Sequence, residues 1–173
     1  MPNTFTLISS ATVGSGGVTN ITLSSIPQTY TDLQLLFSTR DDGGSFLNNV
    51  AITFNGNTSG IYSERLIYGY NNTVQTTSNS GATVINFAYS DQSLATANTF
   101  SNNTMYIPNY TGSTNKSVSI DSVTENNNAT NAIASLSVGL FASTSPITSI
   151  NLYAGGALFV QYATVYLYGI KNS

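Results

Sequence analysis

The 173-residue chain contains no histidine, no cysteine and no tryptophan. Without His or Cys there is no His-based catalytic triad, no thiol nucleophile and no disulfide. There is also no zinc or haem centre built from the usual ligands. Charge is scarce as well. Four residues are basic (Arg40, Arg65, Lys116, Lys171) and seven acidic (Asp32, Asp41, Asp42, Glu64, Asp91, Asp121, Glu125), together 6% of the chain, against roughly 25% in an ordinary soluble domain. A basic groove for nucleic acid would need Lys and Arg that are not there. No apolar run approaches the ~20 residues of a membrane-spanning helix. Met1-Pro2-Asn3-Thr4 lacks the basic and apolar regions of a secretory signal. Pro2 stands where myristoylation needs a glycine. The expectation is a chain made in the cytosol, with no membrane or nucleic-acid partner and no cofactor.

What is present is small, polar and regular. Thr, Ser and Asn contribute 24, 24 and 21 residues, while apolar residues make up 40%, with eleven Tyr and eight Phe. The length suits one domain over residues 1–173, without disulfides. The apolar period is two, not 3.6. Phe5 and Leu7 alternate with Thr; Leu33, Leu35 and Phe37 alternate with Asp32, Gln34 and Ser38. Val50, Ile52 and Phe54, then Leu66, Tyr68 and Tyr70, then Val118 and Ile120, then Leu136, Val138 and Leu140 repeat the pattern. Half-buried strands alternate in this way because successive side chains point to opposite faces.

Turn residues punctuate these runs. Asn55-Gly56 predicts a tight hairpin, since both central residues of a type I′ turn need positive φ. Asn71-Asn72 and Ser78-Asn79-Ser80-Gly81 predict further turns. A short helical turn is expected near Asp91–Ala97, with Ser90 as its cap. The segment Val160–Ile170, apolar on both faces, predicts a strand that is central or covered by a partner. The fold class expected is all-β: a single-domain antiparallel β-sandwich of about 8–10 strands, jelly-roll-like.

Few residues carry chemistry. Asp121 with Glu125, or Asp41 with Asp42, is a candidate carboxylate pair for glycoside hydrolysis, which needs two acids roughly 5–10 Å apart. Turn and strand-end charges explain them equally well. Asp41, Asp42 and Asp121 are candidate calcium ligands, although the EF-hand spacing is absent. Arg65 is a candidate ion-pair partner of Asp121 or Glu125. Seven Asn-x-Ser/Thr triplets occur, close to the six or so expected by chance from this composition, so they do not indicate glycosylation. Tyr62, Tyr68, Tyr70, Tyr89, Tyr106 and Tyr110 could present rings to a glycan, but Tyr serves strands and protein interfaces as well.

Several stretches carry a likeness. They are Thr4-Phe5-Thr6-Leu7-Ile8-Ser9-Ser10 before a Gly-rich turn, Ile26-Pro27-Gln28-Thr29-Tyr30-Thr31-Asp32-Leu33, Tyr106-Ile107-Pro108-Asn109-Tyr110-Thr111-Gly112, Ser122-Val123-Thr124-Glu125 and a closing Tyr166-Leu167-Tyr168-Gly169-Ile170. Together they resemble small virion proteins of tailed bacteriophages. The resemblance implies a non-enzymatic, jelly-roll-like subunit, often a homotrimer. The expectation is a capsid decoration (cement) protein on the virion surface, bound to the phage major capsid protein. Its interface would use Phe5, Leu7, Tyr106, Tyr110, Tyr166 and Tyr168, with Met1–Thr6 as a contact arm. The alternative is a tail or fibre module that binds host-surface glycans.

Overall fold

The computed structural model describes residues 4–128 and 131–171. They form twelve strands: β1 (Phe5–Thr12), β2 (Asn20–Leu23), β3 (Asp32–Ser38), β4 (Leu47–Phe54), β5 (Tyr62–Tyr70), β6 (Thr73–Ala82), β7 (Ile85–Asp91), β8 (Asn102–Ile107), β9 (Lys116–Thr124), β10 (Ile133–Phe141), β11 (Ile150–Tyr153) and β12 (Thr164–Ile170). Eight make one sheet in the order β1-β12-β3-β8-β9-β10-β5-β6, and four make a second in the order β2-β11-β4-β7. Every strand pairing is antiparallel. The architecture is an all-β sandwich, with its strands divided eight against four.

The core lies where the two sheets face each other. Leu33, Leu35 and Phe37 of β3, Met105 and Ile107 of β8, and Val165 and Leu167 of β12 point inward from the large sheet. Ile21, Leu23, Val50, Ile52, Phe54, Ile150 and Leu152 meet them from the small one. Each buried side chain of this size contributes about 1.5–3 kcal/mol. At one end Phe54, Tyr62 and Phe141 form an aromatic cluster, with the Tyr62 and Phe141 rings stacked 5.3 Å apart. The Tyr62 hydroxyl accepts from the Phe54 amide at 2.9 Å and donates to the Asn57 carbonyl at 3.1 Å.

Polar groups also reach the interior, and they have a specific task. β7 is an edge strand of the small sheet, so half of its backbone groups lack a ladder partner. Side chains of the large sheet supply partners instead. Glu64 accepts from the Asn86 amide at 2.6 Å, and Ser122 accepts from the Tyr89 amide at 3.0 Å. Ser137 donates to the Phe87 carbonyl at 3.1 Å, and Asn103 donates to the Tyr89 carbonyl at 3.0 Å. These bonds run from one sheet to the other. They give the buried Ser and Asn residues a structural role that alternation alone does not reveal.

Several local expectations need correction. Asn55 and Gly56 do take positive φ, 55° and 64°, but the turn leads from β4 to a strand of the other sheet and closes no hairpin. The Asn55 carboxamide explains its place. It accepts from the amides of Thr148 and Ser149 and donates to the Pro146 carbonyl at 2.8 Å, tying two loops together. The tight hairpin lies instead at Asn71-Asn72, with φ of 50° and 58°, joining β5 to β6.

Ser78-Asn79-Ser80-Gly81 is no turn; it continues β6. Asp91–Ala97 is no helix. Asp91 ends β7, and two successive turns follow, closed by Ala95 N to Gln92 O and Thr99 N to Thr96 O. Arg40 holds this loop by donating to the carbonyls of Ala95, Thr96 and Thr99. The last strand begins at Thr164, after Tyr162, which has a φ of 73° and is exposed. Phe5 and Thr6 are no free arm either, because they pair with Ile170 and Gly169 inside the large sheet. Met1–Asn3 lie outside the described residues.

Candidate interaction surface

The inner face of the large sheet is covered by the small sheet except along the edge strand β6, which is exposed on both faces. The outer face is open, and what it displays follows from strand parity. β12 sits second from the edge, between β1 and β3, so its outward residues Tyr166 and Tyr168 lie beside Leu7 and Leu36. Phe5 and Leu7 are about half exposed, and Tyr166 is 38% exposed. These residues form one apolar flank of the face. Tyr106 lies on the same face across β3, with its hydroxyl donating to Asp32 Oδ2 at 2.8 Å. That hydrogen bond, with burial, pushes the Tyr106 phenol up from its ordinary value.

Five of the six expected interface residues therefore share one face. Tyr110 does not belong with them. It is fully buried, and its hydroxyl donates to the Pro27 carbonyl, so it serves the core. Tyr62 and Tyr89 are buried too and offer no ring to a ligand.

A second apolar flank lies at the opposite end, on β9, β10, β5 and β6. β10 is the informative strand. Its alternation placed Leu136, Val138 and Leu140 on one face, the set expected to be buried. The structure turns that set outward and points Ile133, Ser135, Ser137, Gly139 and Phe141 inward. The inversion has a local cause. Ile85 of β7 lies so close under β10 that a Cβ added at Gly139 would stand 2.8 Å from it. Ser137 is held inward by its bond to Phe87. Small residues must face in here, and the apolar ones are left outside.

Leu136 and Val138 are 50% and 48% exposed, and Ile67 of β5 is 48% exposed. Val123 of β9 and Val74 of β6 extend the patch. Of the apolar residues of this flank only Leu136 and Val138 stood out in the sequence, and those two read as core. The usable signal was Leu66-Ile67, where both parities of β5 are apolar.

The charged candidates are scattered. Arg65 faces outward on β5 and Asp121 outward on β9, with β10 between them. Glu125 lies past the end of β9 and accepts from the Asn127 amide. Asp41 is buried after β3, where it accepts from Gln92 Nε2 at 2.7 Å and Gly43 N at 3.0 Å. Asp42 accepts from the Leu158 amide. Asp41 and Asp42 thus tie their loop to the segments that carry Gln92 and Leu158, whereas Asp121 lies in the middle of β9. Among the described residues no three of His, Cys, Asp and Glu stand together as metal ligands.

Burial pushes the carboxyls of Asp41, Glu64 and Asp91 up from the ordinary range. It pushes the Lys116 ammonium down, at the point where Nζ donates to the Ser143 and Ser145 carbonyls. No protein-family model matches the sequence, and no curated protein matches it either.

Proposed function

We propose that the chain is a non-enzymatic structural subunit of a bacteriophage particle. In this role it is a capsid decoration (cement) protein that associates with itself as a trimer and clamps neighbouring major capsid proteins on the virion surface. One observation carries the reading. Most of the exposed large apolar side chains lie on one sheet face and gather toward its two ends, Phe5, Leu7 and Tyr166 at one and Ile67, Leu136 and Val138 at the other, whereas Val18, Leu94 and Tyr162 lie in loops. A subunit that joins two kinds of neighbour needs two such surfaces, and contiguous exposed apolar patches mark interaction sites. Low charge suits contacts that must hold in varying salt. The outer face of the small sheet contrasts with this, because Thr22 and Asn151 lie there in a hydrogen-bonded pair.

Cosedimentation with purified phage heads tests the role. The chain is expected to travel with DNA-filled heads, and Leu7→Asp is expected to release it. Recovery on tails alone would overturn the role.

A groove of about 640 Å³ favours a second reading. It lies at the β5–β6 turn and is lined by Tyr70, Asn71, Asn72, Glu125 and Asn127. Amide groups beside an aromatic ring suit a neutral glycan, as in a receptor-binding tail module. Binding on a glycan array that is lost in Asn72→Ala would support that module.

A further inference from the structure

The β9–β10–β5–β6 flank has a charge pattern that specifies its occupant. Of the eleven charged residues in the chain, Arg65 and Asp121 face outward here, one on each side of β10. They are opposite in sign and set diagonally. Arg65 lies in register with Val138, and Asp121 lies in register with Leu136. A partner surface that satisfied both would be largely apolar, with one cation and one anion flanking a central apolar strand. This flank has that composition itself.

Relief and size agree. Two shallow grooves, of about 440 and 390 Å³, run along the face, and Ile67 and Leu136 line both. These two side chains form a ridge between two hollows, a shape that can seat against its own copy. Four strands at ~4.8 Å spacing and nine residues at ~3.3 Å span roughly 19 by 30 Å, which with relief approaches the ~800 Å² per partner of a standard interface. β6 adds to the demand for cover. Nine of its ten residues are exposed, and it carries neither charge nor proline, the usual devices that blunt an edge strand.

We infer that this flank is occupied by another copy of the same chain, with Arg65 of one copy opposite Asp121 of the next and Leu136 and Val138 packed between them. The assignment rests on the assembly role proposed above and divides the labour within it. It leaves Phe5, Leu7 and Tyr166 free for the capsid.

Sedimentation equilibrium of the purified chain, without particles, tests the contact. The wild-type chain is expected to self-associate at micromolar concentration. Arg65→Glu and Asp121→Arg are each expected to weaken association by roughly tenfold or more, since like charges are then opposed across the contact. Combining the two changes is expected to restore it. Near-ultraviolet circular dichroism of the tyrosines checks that each variant folds, and both sites are solvent-facing. A monomeric wild-type chain would overturn the inference, as would an oligomer indifferent to both reversals. Neither result would touch binding to phage heads, which cosedimentation measures separately. Conversely, a self-associating chain that binds no heads would overturn the decoration role and leave this contact standing.

Discussion

Asn103 shows how a single polar side chain can hold the two sheets together. Its Nδ2 donates to the Tyr89 carbonyl at 3.0 Å and to Ser101 Oγ at 2.9 Å, while Oδ1 takes the Ser122 hydroxyl. All of this happens at 1% exposure. Removing the amide strands several buried partners at once, and each unsatisfied group costs ~1–3 kcal/mol. Asn103→Ala is therefore expected to lower unfolding free energy by at least about 2 kcal/mol in urea titration. A loss within error of zero would mean that these bonds are replaced by others. Arg65 and Leu136 are the opposite kind of residue. Their changes are expected to leave monomer stability nearly untouched and to act on association.

The elements differ in how plainly the sequence announces them. β3 and β9 are legible because one face is apolar and the other is not, and both lie in the middle of the large sheet. β6 is not legible. A strand exposed on both faces has no burial to record, so Thr73–Ala82 shows no period and its Ser-Asn-Ser-Gly stretch imitates a turn. β10 is legible as a strand but not as to direction. Its apolar set faces out because Ile85 and Phe87 of β7 claim the space beneath. That inversion is also why half of the candidate surface was hidden in the sequence, whereas Phe5, Leu7 and Tyr166 were readable.

The β5–β6 hairpin depends on its turn more than on packing. Asn71 and Asn72 both sit in the left-handed region, where an ordinary residue costs ~1–2 kcal/mol. Asn72→Ala is expected to speed hydrogen exchange of the β6 amides several-fold while leaving β3 and β8 unchanged. Equal acceleration throughout would show that the hairpin opens only with the whole fold.

At the scale of the molecule, the buried carboxyls set the response to pH. Asp41, Glu64 and Asp91 have pKa values raised by burial, only partly offset by hydrogen bonds. Between the unfolded and folded values the folded chain holds more protons than the unfolded one. Stability from this source is complete below the unfolded carboxylate range of about 4 and is lost as pH rises through the raised values. The urea midpoint is therefore expected to be higher at about pH 5 than at about pH 7.5, and Asp91→Asn is expected to flatten that slope. A midpoint that climbs toward neutral pH would contradict the assignment. These acids are buried, and Glu64, although it lies on β5 next to Arg65, points to the inner face, so proton uptake and assembly use opposite sides of that strand.

The lashing of Asn55 between two loops also bears on chemical ageing. An asparagine followed by glycine is prone to cyclise when the next backbone nitrogen attacks its side-chain carbonyl and ammonia leaves. Here the carboxamide is gripped on both sides, by Thr148 and Ser149 at its oxygen and by Pro146 at its nitrogen. The side chain cannot swing freely toward the Gly56 nitrogen. Conversion to aspartate would also remove the donor to Pro146 and place a negative charge against its carbonyl. The folded chain is thus protected at its most perishable dipeptide, which acts as a slow clock only in molecules that have already come undone.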